Sequence, residues 1–437
     1  MSRPAQPPPS TALLSLEQTP PLAVPLRFFL TAPLFGVTAA LLALWLGPTA
    51  MISRWQSGVL AFTHLLTLGY LAMVMFGALF QMLPVLVGVH LRSALPLARA
   101  IHALLLAGTL LLVGAFLGSS TIAFALAVGA LALGVGGFIA VMARALWRAQ
   151  SAHDTVIAIR LALLALGFTL VLGLWLIAHH VDPGLGLRST LINLHLSWGL
   201  LGWVAVLLAG VAYQVVPMFQ ITQEYPPRLR RSLAWWVIAF LLIWTALFFL
   251  SPRWTWPAGL ALALALTAFA LSTLRLQQKR LRRLPDVTVD FWSLGMLCLI
   301  ASAALWLIHE ASPGALPDHL FALYWGALTI LGGGVSVISG MLYKIIPFLV
   351  WLHLNNRLQE AGQWQGNLPT MRQIIADRRA RLHLRLHAIA LLLLLVAIAW
   401  KGMFYPAFIV LLASFGMQAW NLLGALRLYR KTLRHAV

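Results

Sequence analysis

Acidic side chains and cysteine are nearly missing from this sequence. Ten Asp and Glu stand against 30 Lys and Arg in 437 residues, and charged residues of both signs make up only 9% of the chain. Soluble domains carry about a quarter charged residues, so a chain this poor in charge cannot cover an ordinary water-exposed surface. One cysteine, Cys298, excludes a disulfide framework, and the lack of a Cys-x-x-Cys-His run excludes covalent c-type haem attachment. No acidic residue falls deep in an apolar segment. Intramembrane carboxylate relays of the kind used by proton pumps are therefore not expected.

Hydrophobic length is abundant instead. The chain is 61% hydrophobic with a mean hydropathy of +0.90, the composition of a polytopic membrane protein. Segments long enough to cross about 30 Å of hydrocarbon lie at about 26–47, 58–84, 98–118, 121–143, 157–179, 191–218, 233–251, 255–275, 290–309, 319–349, 383–400 and 402–426. An all-α fold of twelve transmembrane helices in one membrane domain, 26–437, is expected. Residues 1–25 are polar and Pro-rich without the basic, apolar and small-residue succession of a cleavable signal, and read as a disordered cytoplasmic tail.

A pattern recurs in the second, sixth and tenth segments. Gly77, Phe80, Gln81 and Pro84 return as Gly210, Tyr213, Gln214 and Pro217, and again as Gly340, Tyr343, Lys344 and Pro347, with prolines 133 and 130 residues apart. A near-constant period of that length points to three copies of a four-helix unit, at about 26–150, 151–285 and 286–437, arranged with pseudo-threefold symmetry. Gln81, Gln214 and Lys344 each stand three residues before a proline. They read as partners for backbone groups that a proline kink frees; Lys344 reads alternatively as a proton or anion contact.

All but five of the Lys and Arg fall at the N-terminus, in loops after even-numbered segments, or at the C-terminus. The five are Arg54, Arg188, Arg253 and Lys401 on the opposite side, and Lys344 within the tenth segment. The positive-inside rule then places both termini in the cytoplasm. The formal charge of +20 reads as topology signal and contact with anionic lipid, with the bilayer as partner and no nucleic acid. The richest stretches are 275–286 and the long segment 351–382.

On that orientation the histidines sort by side. His64 and His195 lie inside helices near their outer ends, His179 and His180 close the fifth segment, His309 ends the ninth and His319 opens the tenth. His90, His102, His153, His353, His383, His387 and His435 sit in or near cytoplasmic loops. His64 precedes its proline by 20 residues and His195 by 22, a height difference of about 3 Å at the α-helical rise, whereas His319 lies about 12 Å further out. His64 and His195 thus offer imidazoles at one level, fit for a metal or for the two faces of a b-type haem, and read equally as packing histidines. Tyr70, Phe76, Trp198 and Trp203 would wall such a site, with Arg54, Arg188 or Arg253 for propionates; the same residues also suit an interfacial aromatic belt with flanking cations.

Three four-helix units with outer-side histidines resemble the twelve-helix subunit I of haem-copper oxidases. More closely, His64, Gly69, Gly77 and Pro84, after the PLRFFL entry at Pro25 to Leu30, resemble the NnrS-type membrane proteins. That resemblance implies a bacterial-type inner-membrane protein binding haem or copper through His64 and His195, with His179, His180 and His309 as further metal ligands. It also implies electron transfer, binding of NO or O2, or nitric-oxide tolerance, and a redox partner protein or quinol. The oxidase pattern is broken at both centres: the seventh segment lacks the copper-binding His-His pair, and the tenth, where haem-ligating histidines would stand, has only His319 at its mouth. Oxidase-type reduction of dioxygen is therefore not implied, and no enzymatic activity is assigned. A transporter or channel lined by Gln81, Gln214 and Lys344, or a cofactor-free scaffold, are the alternative classes.

Overall fold

Backbone in hydrocarbon has no water to bond, so an apolar chain of this kind must satisfy its peptide groups within helices. The computed structural model describes residues 19–87, 93–148, 153–181, 188–281, 284–360 and 368–436. Residues 1–18 of the expected tail lie outside the described residues. Among the described residues twelve helices are long and apolar enough to cross a membrane. They are α1 (Ala23–Leu46), α2 (Ser57–Leu86), α3 (Ala94–Gly118), α4 (Thr121–Trp147), α5 (Asp154–His179), α6 (Leu191–Gln220), α7 (Pro227–Leu250), α8 (Pro252–Gln278), α9 (Val287–Ala311), α10 (Asp318–Glu360), α11 (Asp377–Ala399) and α12 (Lys401–Arg434). The protein is a multi-pass membrane protein.

Burial divides the helices into two groups. In α2, α6 and α10, 72%, 67% and 78% of the most apolar stretch is buried, against at most 44% in any other helix. These three occupy the interior and the other nine surround them. Neighbouring outer helices pack α4 on α5, α8 on α9 and α12 on α1, so the last helix closes against the first. Outward-facing Trp45, Leu133, Trp147 and Leu250 are exposed, as lipid-facing side chains must be.

The three interior helices share one irregularity. Each contains a π-helical stretch, at Leu65–Ala72 in α2, Trp198–Ala205 in α6 and Ala327–Val335 in α10. Every stretch ends five residues before the glycine of the recurring pattern. At those glycines the helix lies against its predecessor: a Cβ at Gly77, Gly210 or Gly340 would come within 2.7, 2.5 or 2.7 Å of the Cβ of Phe28 on α1, Ala158 on α5 or Phe291 on α9. No side chain larger than hydrogen fits without movement, which explains the glycine in each copy.

The prolines do not end these helices. Helix continues to Val87 beyond Pro84, to Gln220 beyond Pro217 and to Glu360 beyond Pro347. Much of the expected loop from Trp351 is therefore helix, and the remainder holds a short turn, Met371–Ile374, capped by Thr370 and Gln373. Helix α1 begins at Ala23, inside the expected tail, and α11 begins at Asp377, well before the apolar run that signalled it.

Candidate functional site

The interior packing brings His64 and His195 side by side. Their ring centres are 6.3 Å apart and their planes differ by 24°. His64 Nδ1 donates to the Leu60 carbonyl one turn back on α2, at 2.8 Å. His195 Nδ1 donates across to the Thr169 carbonyl of α5, at 3.0 Å. A carbonyl oxygen only accepts, so both protons sit on Nδ1 and both Nε2 atoms carry lone pairs. Among the described residues neither Nε2 has a hydrogen-bond partner. A second-shell bond on Nδ1 that frees Nε2 is how proteins orient metal-binding imidazoles.

Local sequence prepares this arrangement. The π-helical stretch of α2 begins at Leu65, directly after His64, and that of α6 begins at Trp198, three residues after His195. Each π turn takes one residue more than an α turn, so the histidines are rotated relative to the helix that follows them. Gly173 on α5 makes room for the His195 ring, because a Cβ there would lie 2.9 Å from its Cε1. Phe116 on α3 packs on His64 with ring centres 5.4 Å apart. Sequence reading missed both residues; nothing in the pattern of α3 or α5 marks them.

The expected aromatic walls turn elsewhere. Tyr70 bonds Ser339 at 2.8 Å and the Gln418 amide, Trp198 donates to Thr245 on α7, and Phe76 stacks on Phe138 of α4 at 3.6 Å while meeting Trp203 edge-on. The remaining proposed ligands do not join the pair. His309 stacks on Phe321 at 3.9 Å and faces the Asp318 carboxylate at 3.6 Å, while His179 is buried at the end of α5 with Nδ1 unpartnered. The His180 side chain lies outside the described residues. Among the described residues no three His, Cys, Asp or Glu side chains are grouped to hold a metal. Of the five expected metal ligands, the described side chains bring only His64 and His195 together, and His309 is engaged by Phe321 and Asp318.

At the opposite end, Gln81 is buried with its carbonyl oxygen unpartnered, and Gln214 is half-buried. Neither forms a side-chain hydrogen bond with the described residues, so the expected repair of kink-freed backbone is not made. Lys344 is different: its Nζ lies 2.7 Å from the Asp286 carboxylate, which also caps α9 through the Thr288 amide at 3.0 Å. A lysine in place of a glutamine is neutralised by a carboxylate at the mouth of the neighbouring helix.

A second polar cluster was not anticipated. His383 and His387, expected in or near a cytoplasmic loop, are each 1% exposed in the N-terminal half of α11. Tyr343 OH lies 2.9 Å from His383 Nδ1 and accepts from Asn421 at 3.0 Å; Ser336 lies 2.8 Å from His387 Nε2. The spacing of four that places both rings on one helix face was the available signal.

A cavity of about 370 Å³ opens at the histidine end. Its wall includes Thr63, Leu66, Leu196 and Ser197, which flank the two histidines, but neither imidazole. Arg54, between α1 and α2, stands at its rim and donates to Asn193 of α6 at 3.0 Å. Partial burial lowers the Arg54 pKa, offset in part by the Asp318 carboxylate.

No protein-family model matches this sequence, and no curated protein matches it.

Proposed function

We propose that the His64–His195 pair holds one transition-metal atom and that the protein serves membrane electron transfer. The observation that carries this reading is the nearness of two imidazoles, ring centres 6.3 Å apart, whose protons are both tied to backbone carbonyls so that both Nε2 atoms are free. One metal atom would be held through those two Nε2 atoms. Imidazole suits iron and copper. The iron of a b-type haem, or copper, would be held by His64 and His195.

When bound, such a group would supply one-electron chemistry. This chain's contribution is to hold both rings: Leu60 and Thr169 fix their tautomers, Gly173 seats His195, and Phe116 packs on His64. Two imidazoles committed to one metal would suit electron exchange with a redox partner protein or quinol better than binding of NO or O2. Matched π-helical stretches, equivalent glycine contacts and three-way closure of the outer ring support three four-helix repeats related by a pseudo-threefold axis. The distribution of Lys and Arg supports both termini in the cytoplasm of an inner membrane.

The test is an optical spectrum of the purified protein, oxidised and reduced, with metal analysis of the same sample. Stoichiometric six-coordinate haem or copper is expected. His64→Ala and His195→Ala should each remove most of it, whereas His319→Ala, at an exposed position, should retain it. Metal-free protein after expression with ample haem and copper would overturn the reading.

A further inference from the structure

The cavity at the histidine end is unlike a packing defect. Its lining comes from α2, α6 and α7 through α12, and its volume lies in the range of about 300–1,000 Å³ typical of small-molecule sites. Along α6 the lining runs from Asn193 to Leu201 and along α10 from Phe321 to Leu331, so the cavity is about 12 to 15 Å deep at the α-helical rise. Its walls are apolar and aromatic, including Phe62, Trp244, Trp306 and Phe408. The charge is confined to one place, Arg54 at the rim.

Arg54 itself is anomalous. It is half-buried, its hydrogen-bond partner Asn193 is neutral, and it makes no ion pair with a carboxylate among the described residues. The guanidinium also lies over the Trp55 ring at 4.5 Å. A cation partly removed from water, hydrogen-bonded to a neutral Asn193 and only weakly offset by the exposed Asp318 carboxylate, is incompletely compensated, and an anion arriving beside it offsets that cost. A neutral head group would not.

We infer that this cavity is a binding site for a single-chain anionic lipid, whose head is held by Arg54 and Asn193 and whose chain fills the apolar shaft between α2, α6, α8 and α10. The site is separate from the histidine pair, which does not line it, and the inference stands whether or not a metal is bound there. The aromatic lining and a depth of a few helical turns suit a medium-length alkyl chain. Ala263 and Gly326, small side chains in the wall, help leave the shaft open.

The full-length protein in lipid nanodiscs tests this with fatty carboxylates of increasing length, each carrying a terminal bromine that quenches tryptophan. Saturable quenching above bilayer partitioning is expected, tightening about fourfold per added CH2 until the chain spans the shaft. Trp306→Phe should reduce the quenching amplitude, and Ala263→Trp, which fills the wall, should abolish saturation. Arg54→Gln keeps a donor for Asn193 while removing the charge, and should weaken carboxylate binding about tenfold or more. A lysophosphatidate arm distinguishes a phosphate head from a carboxylate one by which binds tighter. Equal binding of the matching brominated alcohol, tighter binding of a quinone, or quenching without saturation would each overturn the inference.

Discussion

Lys344 shows how a single residue can be misread when its partner is distant in sequence. An isolated lysine among helices looks functional, yet its charge is met by Asp286, 58 positions earlier, at 2.7 Å. Removing one member of a partly buried pair leaves the other uncompensated, so Lys344→Gln alone should destabilise the protein by about 1–3 kcal/mol. Adding Asp286→Asn should recover much of that loss, because Asn still caps α9. Thermal unfolding of both variants in detergent checks this; a double variant no better than the single would show that the pair carries no coupling. His383 and His387 are the converse case. Their spacing was plain, but their burial required knowing that α11 starts six residues before His383, in a charged run that hydropathy assigns to loop.

The interior helices carry the recurring pattern because their environment is the same in each case. Each glycine faces the Cβ of a residue on the preceding helix, and Gly77→Ala, Gly210→Ala and Gly340→Ala should each cost about 1–3 kcal/mol through overpacking. Gly129→Ala on α4, where an added Cβ meets nothing within 4 Å, should be neutral or stabilising through helix propensity. Comparing unfolding midpoints of the four variants decides it, and equal effects at all four positions would remove the packing explanation. The glycine spacing was legible in the sequence. The π-helical stretches before it were not, because a π turn changes backbone bonding without changing the apolar pattern that hydropathy detects.

For the whole molecule, the proposed topology has both termini in the cytoplasm. Cys298 is 7% exposed, so an introduced cysteine is effectively the only reactive thiol. Arg253→Cys, at the start of α8, should react with a membrane-impermeant thiol reagent in intact cells, and Arg430→Cys, in the last turns of α12, only after lysis. The reverse pattern would invert the proposed topology and move the histidine pair and the lipid cavity to the cytoplasmic side.

The sequence by itself determined the class of the protein, the twelve spans, the recurrence of Gly77, Gly210 and Gly340, and the level shared by His64 and His195. All of these are local or periodic properties, set by hydropathy, helical rise and residue spacing within one segment. Only the tertiary structure decided that those two imidazoles lie side by side with free Nε2 atoms, that His309 is engaged by Phe321 and Asp318, that Lys344 meets Asp286, and that Arg54 stands over an apolar shaft. Each of these depends on which faces of different helices meet, and that is fixed by side-chain packing between segments, not by the pattern within any one of them.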